Sequence, residues 1–95
     1  MTLLTQQQIN DALSQLKGWS YKDKGIEKNF VFKDFKETLS IMMGIGMIAE
    51  EMNHHPEWFN VYKTVEVTLK THDVNSLSDL DKKLSEKMDF FLLNN

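Results

Sequence analysis

Apolar positions recur along this chain first at helical spacing, then in alternation, and the cycle repeats. Ile9, Ala12, Leu13 and Leu16 share one helical face. Thr5 followed by Gln8 reads as a capping box, and Gly18 as a stop, so the pattern predicts a helix over about residues 5–17. Trp19-Ser20-Tyr21 begins an alternation, Asp23-Lys24-Gly25 is a turn signal, and Ile26, Lys28, Phe30 and Phe32 then share a face. These features predict a hairpin.

Asp34 and Glu37 form a second capping pair. Phe35, Leu39, Met42, Met43, Gly46, Ala49 and Asn53 trace a helix expected to reach about His55, and Ile41, Ile45 and Ile48 widen its apolar surface. So broad a surface suits either a core helix or a subunit interface. Pro56 disfavours helix at His55. Residues 58–62 read as extended, with a turn near Lys63-Thr64. Val65, Val67, Leu69 and Thr71 then alternate with Glu66, Thr68, Lys70 and His72, which is strand patterning. Ser78 caps a last helix carrying Leu80, Leu84, Met88 and Phe91.

The predicted architecture is α+β: a four-stranded antiparallel sheet with three helices packed on one face, in the order α-β-β-α-β-β-α. At 95 residues the whole chain, 1–95, is expected to be a single domain.

Composition narrows the function classes. A net charge of −3, with lysines dispersed, argues against direct nucleic-acid binding. The absence of cysteine removes disulfides and thiol nucleophiles and fits a reducing, cytoplasmic setting. The first residues lack the pattern of a signal peptide, and the apolar run Ile41–Ala49 is far short of the roughly 20 residues of a membrane span.

The candidate chemistry lies in the three histidines, all between positions 54 and 72. His54 and His55 fall at a helix end, and His72 falls on the non-core side of a strand. Imidazole is the side chain best suited to proton transfer near neutral pH. A histidine at a helix end is often only a cap; three together, flanked by Pro56 and Trp58, favour a site. Glu50, one turn before His54, is placed to pair with it. Asp81, three residues after Ser78, suits a capping box better than catalysis on spacing alone. Glu51 and His54 form a single E-x-x-H pair, and no H-x-x-x-H or H-E-x-x-H is present, so no metal is expected. Neither a nucleophile elbow nor a phosphate-binding glycine loop is present, and no cofactor is expected.

Glu50, then Asn53-His54-His55-Pro56-Glu57-Trp58-Phe59-Asn60-Val61-Tyr62, then Val65, Thr68-Leu69, Thr71-His72-Asp73, Leu77-Ser78 and Asp81 together resemble the pterin-4a-carbinolamine dehydratase family. The combined H-H-P and T-H-D pattern carries the likeness; the earlier part agrees in length, in Trp19 and in element order. The resemblance implies dehydration of a 4a-hydroxytetrahydropterin (4a-hydroxytetrahydrobiopterin) to the quinonoid dihydropterin and water, within tetrahydrobiopterin recycling. It implies His54, His55, His72 and Glu50 as catalytic residues. Asn53, Lys70, Thr71 and Asp73 are implied as substrate contacts beside the histidines, with Asp81 supporting His72 and with Trp58 and Pro56 in support. It further implies a homodimer or homotetramer. The chain departs from the family pattern at Leu80, where animal members carry a basic residue, at Ser76 for glycine and at Lys70 for a small residue. The apolar helix and the changes at Ser76 and Leu80 keep open a non-catalytic coactivator or protein-binding module on the same fold, and a dehydratase acting on a molybdopterin-related substrate is a third reading.

Overall fold

The computed structural model describes residues 1–94. Helix α1 (Gln6–Gln15) starts at a reciprocal capping box in which Thr5 accepts from the Gln8 amide and Gln8 accepts from the Thr5 amide. It ends before Gly18, whose φ of +84° a side chain would resist. Strands β1 (Ser20–Lys22) and β2 (Gly25–Val31) form a hairpin closed by Asp23 and Lys24. Both turn residues have positive φ, the backbone that a twisted two-residue hairpin needs.

Helix α2 (Phe35–Met52) is capped by Asp34, which accepts from the Glu37 amide at 2.8 Å. It stops three residues short of the expected end. Asn53 turns left-handed (φ 50°, ψ 40°), the His54 amide donates to the Ala49 carbonyl, and the Asn53 amide donates to the Glu50 carbonyl. This is a Schellman-type end in which asparagine takes the place of glycine. Strands β3 (Glu57–Val61) and β4 (Thr64–Leu69) are joined by Tyr62-Lys63, one residue earlier than expected. The Asn60 side chain donates to the carbonyls of Tyr62 and Thr64 and so holds that turn. A short 3-10 turn (His72–Val74) follows, and helix α3 (Asp79–Leu93) completes the chain. His72 therefore opens a turn rather than lying in the strand.

All strand pairs are antiparallel, in the spatial order β1-β2-β4-β3. Ile26 and Phe30 from β2 and Val65, Val67 and Leu69 from β4 meet Ile9 of α1, Ile41, Ile45 and Ala49 of α2 and Leu84 and Met88 of α3 in one core. The opposite sheet face shows Asn29, Val31, Phe59, Val61 and Glu66 to the surface. The three helices thus share one face of the sheet, and the alternation in β4 decides which side chains reach them. The α2–α3 contact is close at Gly44: a Cβ there would run into the Phe91 ring. No helix among the described residues is long and apolar enough to cross a membrane.

Candidate active site

The end of α2, the start of β3, the end of β4 and the first turn of α3 meet around His54. The Schellman turn directs His54 inward, where it is 9% exposed. Its Nε2 lies 2.6 Å from Asp81 Oδ1. Asp81, with no exposed surface, also accepts from the Ser78 amide at 2.9 Å and from the Thr71 hydroxyl at 2.7 Å. Thr71 continues the inward-facing series Val65, Val67, Leu69, which is why its hydroxyl reaches α3. Because the single Thr71 hydroxyl proton goes to Asp81, the Ser78 hydroxyl, 2.6 Å away, donates to Thr71. The Ser78 oxygen in turn accepts from the Leu80 amide and caps α3. Paired with an ionised carboxylate, which only accepts, His54 would carry its proton on Nε2.

The other two histidines are exposed, and each faces a carboxylate of its own. His55 Nε2 lies 2.8 Å from Glu50 Oε1 in a hydrogen bond, and His72 Nε2 lies 2.7 Å from Glu57 Oε1. The chain therefore brings three imidazoles and three carboxylates to one end of the molecule, where two segments are tied together twice. Residues 54–57 touch the 71–81 segment through His54–Asp81 at one end and Glu57–His72 at the other.

Two expected contacts change partners. Glu50 meets His55 and not His54, because the left-handed Asn53 breaks the helical spacing on which the expected pair depended. Asp81 supports His54 and not His72, because His72 leaves the strand on the exposed side. Asp81 also completes the capping box with Ser78 that its spacing suggests. Thr71, expected as a substrate contact, is buried with its hydroxyl committed to Asp81 and Ser78. Trp58, expected in support, is half-buried against the core and lies over Gly46 of α2, beside half-buried Pro56. Asn53 and Asp73 are exposed, and Lys70 is half-buried with its stem beside Gly25.

Residue-type reasoning did not single out Glu57 or Ser78 as parts of the site. Glu57 starts β3 opposite Thr68, near the end of β4, which brings it to the turn that His72 opens. Among the described residues no three His, Cys, Asp or Glu side chains converge as a metal site requires. A groove of about 590 Å³ between α2 and α3, lined by Ile48, Lys87, Phe90 and Phe91 among others, does not include the histidines.

Comparison with known proteins places the chain and its fold. The family model described as Pterin 4 alpha carbinolamine dehydratase matches residues 2–91. A protein of Prochlorococcus marinus (strain MIT 9313), named "Putative pterin-4-alpha-carbinolamine dehydratase", is 47% identical over 85 residues, which cover 90% of this chain and 88% of the relative. A relative of the same name from Sulfurisphaera tokodaii is 44% identical over 92 residues, covering 97% and 99%. The crystal structure of a transcriptional coactivator/pterin dehydratase from Brucella melitensis superposes with a TM-score of 0.90 at 41% identity, covering 95% of this chain and 98% of that one. A pterin dehydratase-like protein described as a RuBisCO assembly factor in the alpha-carboxysome shares the fold alone, with a TM-score of 0.64 at 18% identity over 77% of this chain and 84% of that one.

Proposed function

The chain belongs to the pterin 4 alpha carbinolamine dehydratase family, and from that membership we propose that it dehydrates a 4a-hydroxytetrahydropterin to the quinonoid dihydropterin and water, as a step of tetrahydrobiopterin recycling. The observation that carries the reading is the set of three imidazoles at one end of the fold, each facing its own carboxylate. A carbinolamine holds a hydroxyl and a ring nitrogen on one carbon. Loss of water requires a proton delivered to the departing hydroxyl and a proton removed from the nitrogen, and positioned imidazoles supply both functions without a metal or organic cofactor. His54, His55 and His72 are the proposed acid–base groups, with Glu50 acting on His55. Asn53, Lys70 and Asp73 are the proposed substrate contacts.

The test is turnover of an enzymatically generated 4a-hydroxytetrahydropterin by the purified chain, followed as release of the quinonoid dihydropterin. His55→Ala and His72→Ala should each lower the rate by about 100-fold or more while the fold survives, in the range general acid–base groups contribute. Wild-type turnover no faster than the buffer rate sinks the reading; faster turnover of a molybdopterin-related carbinolamine transfers it to that substrate.

One observation favours a second reading, an interaction module. Phe35, Leu39, Met43 and Met47 recur every four residues on α2 and are 44–65% exposed. On the primary reading this stripe joins copies of the chain into the homodimer or homotetramer; on the second it receives a regulatory protein. Light scattering of wild type against Met43→Lys separates them. A homo-oligomer that dissociates in the variant supports self-association, and a monomeric wild type opposes it.

A further inference from the structure

The chain of hydrogen bonds behind His54 carries an assignment that neither its position nor its neighbours' spacing suggests. The Ser78 hydroxyl donates to Thr71, Thr71 donates to Asp81, and Asp81 Oδ1 lies 2.6 Å from His54 Nε2. Both ends of this relay are also held by backbone amides of α3's start: the Ser78 oxygen by the Leu80 amide and the Asp81 carboxylate by the Ser78 amide. Asp81 is therefore fixed in orientation by α3 before His54 is considered. The remaining nitrogen of His54, Nδ1, has no partner among the described residues. Yet no buried polar side-chain atom among them lacks a partner. Nδ1 is thus the polar edge of the ring that opens to the surface, and Nε2 the edge turned inward.

We infer that Ser78, Thr71 and Asp81 are positioning residues that lock His54 in the Nε2–H form, so that it meets a ligand only as an acceptor at Nδ1. On the dehydratase reading, with which this assignment is linked, the group it faces is an N–H donor of the pterin and not the departing hydroxyl. A neutral imidazole with Nε2–H committed has one lone pair, at Nδ1, and no proton there to give. Delivery of a proton to the hydroxyl then falls to the exposed His55 or His72.

Nitrogen-15 NMR of the imidazoles in the full chain tests this without requiring turnover. At about pH 8, above the ordinary histidine range, His54 should show a protonated Nε2 and an unprotonated Nδ1. A protonated Nδ1, whether in the other tautomer or in the imidazolium, overturns the assignment. Thr71→Val should shift or broaden the His54 Nε2–H resonance and lower kcat by about tenfold, the effect of one displaced hydrogen bond near 1.4 kcal/mol. Thr71→Ser, which keeps the hydroxyl, should restore both. If Thr71→Val leaves the His54 resonance and kcat as in wild type, the positioning role is lost. Should Thr71→Val fail to fold, the comparison rests on wild type and Thr71→Ser, whose His54 spectra should match. A wild type that shows the expected His54 spectrum but no dehydration rejects the dehydratase reading and leaves the positioning assignment standing.

Discussion

The His54–Asp81 couple and the His55–Glu50 couple pair the same two chemical groups at similar distances, 2.6 and 2.8 Å, in opposite surroundings. Asp81 has no exposed surface and three hydrogen-bond partners, whereas Glu50 is 78% exposed at its side chain and has His55. A buried carboxylate without its donors carries the full desolvation cost, whereas an exposed one exchanges a partner for water. The buried couple should therefore govern stability and ring orientation. The couples at Glu50 and Glu57 are exposed to solvent, and on the proposed reading their histidines are the ones that exchange protons with a ligand.

The sharpest way to break this contrast is Asp81→Ala. Removing the acceptor leaves His54, Thr71 and Ser78 without their shared partner inside the protein, and about 3–5 kcal/mol of unfolding free energy should be lost in urea titrations. A loss below about 1 kcal/mol would show that the buried couple is replaced by water and the contrast is false.

An intermediate case comes next. Asp89 accepts from Trp19 Nε1 and from Lys28 Nζ with about a quarter of its side chain exposed, and the same Lys28 ammonium lies over the Trp19 and Phe30 rings. Asp89→Ala should cost about 1–2 kcal/mol, between the two extremes. A cost equal to that of the buried couple would mean that burial is not the governing variable.

At the exposed end, Glu50→Ala should change unfolding free energy by no more than about 0.5 kcal/mol while lowering kcat. A large stability loss with normal kcat would reverse the roles assigned to the couples.

The smallest effect is a pH dependence. The Asp79 carboxyl is held below the ordinary carboxylate range, chiefly by the hydrogen bond from the Thr2 amide and further by the N-terminal charge and its own helix amides, against a weaker opposing effect of burial. A carboxyl whose folded value lies below its unfolded value stabilises the fold at neutral pH, and that contribution disappears as pH falls from the unfolded value through the folded one. Asp79→Asn should thus narrow the stability gap between about pH 6 and pH 3, measured by thermal unfolding, without altering turnover at neutral pH.

The elements were legible because each is announced locally. Thr5, Asp34 and Ser78 start helices, and the alternation from Val65 to Thr71 sorts β4 into inner and outer faces. The three histidines were legible as a group for the same reason. Their partners were not. Pairing Glu50 with His54 follows from an unbroken helix, and one left-handed residue, Asn53, moves the partner by one position. Glu57 and His72 meet through a strand register that no local pattern encodes. Asp81 was readable as a cap because capping is a matter of three residues, whereas its bond to His54 spans 27 positions. The alternation that turns Thr71 inward was visible; that its hydroxyl would end on Asp81 depended on where α3 docks.

The start of α3 has a further consequence for anyone who would move this chemistry elsewhere. Three histidines copied onto a foreign loop would lack the Ser78–Asp81 capping box that sets one ring, and that box exists only where a helix begins. The portable unit is thus a helix start with a strand end laid against it, and a graft that omits either would carry the right side chains in an unanchored arrangement.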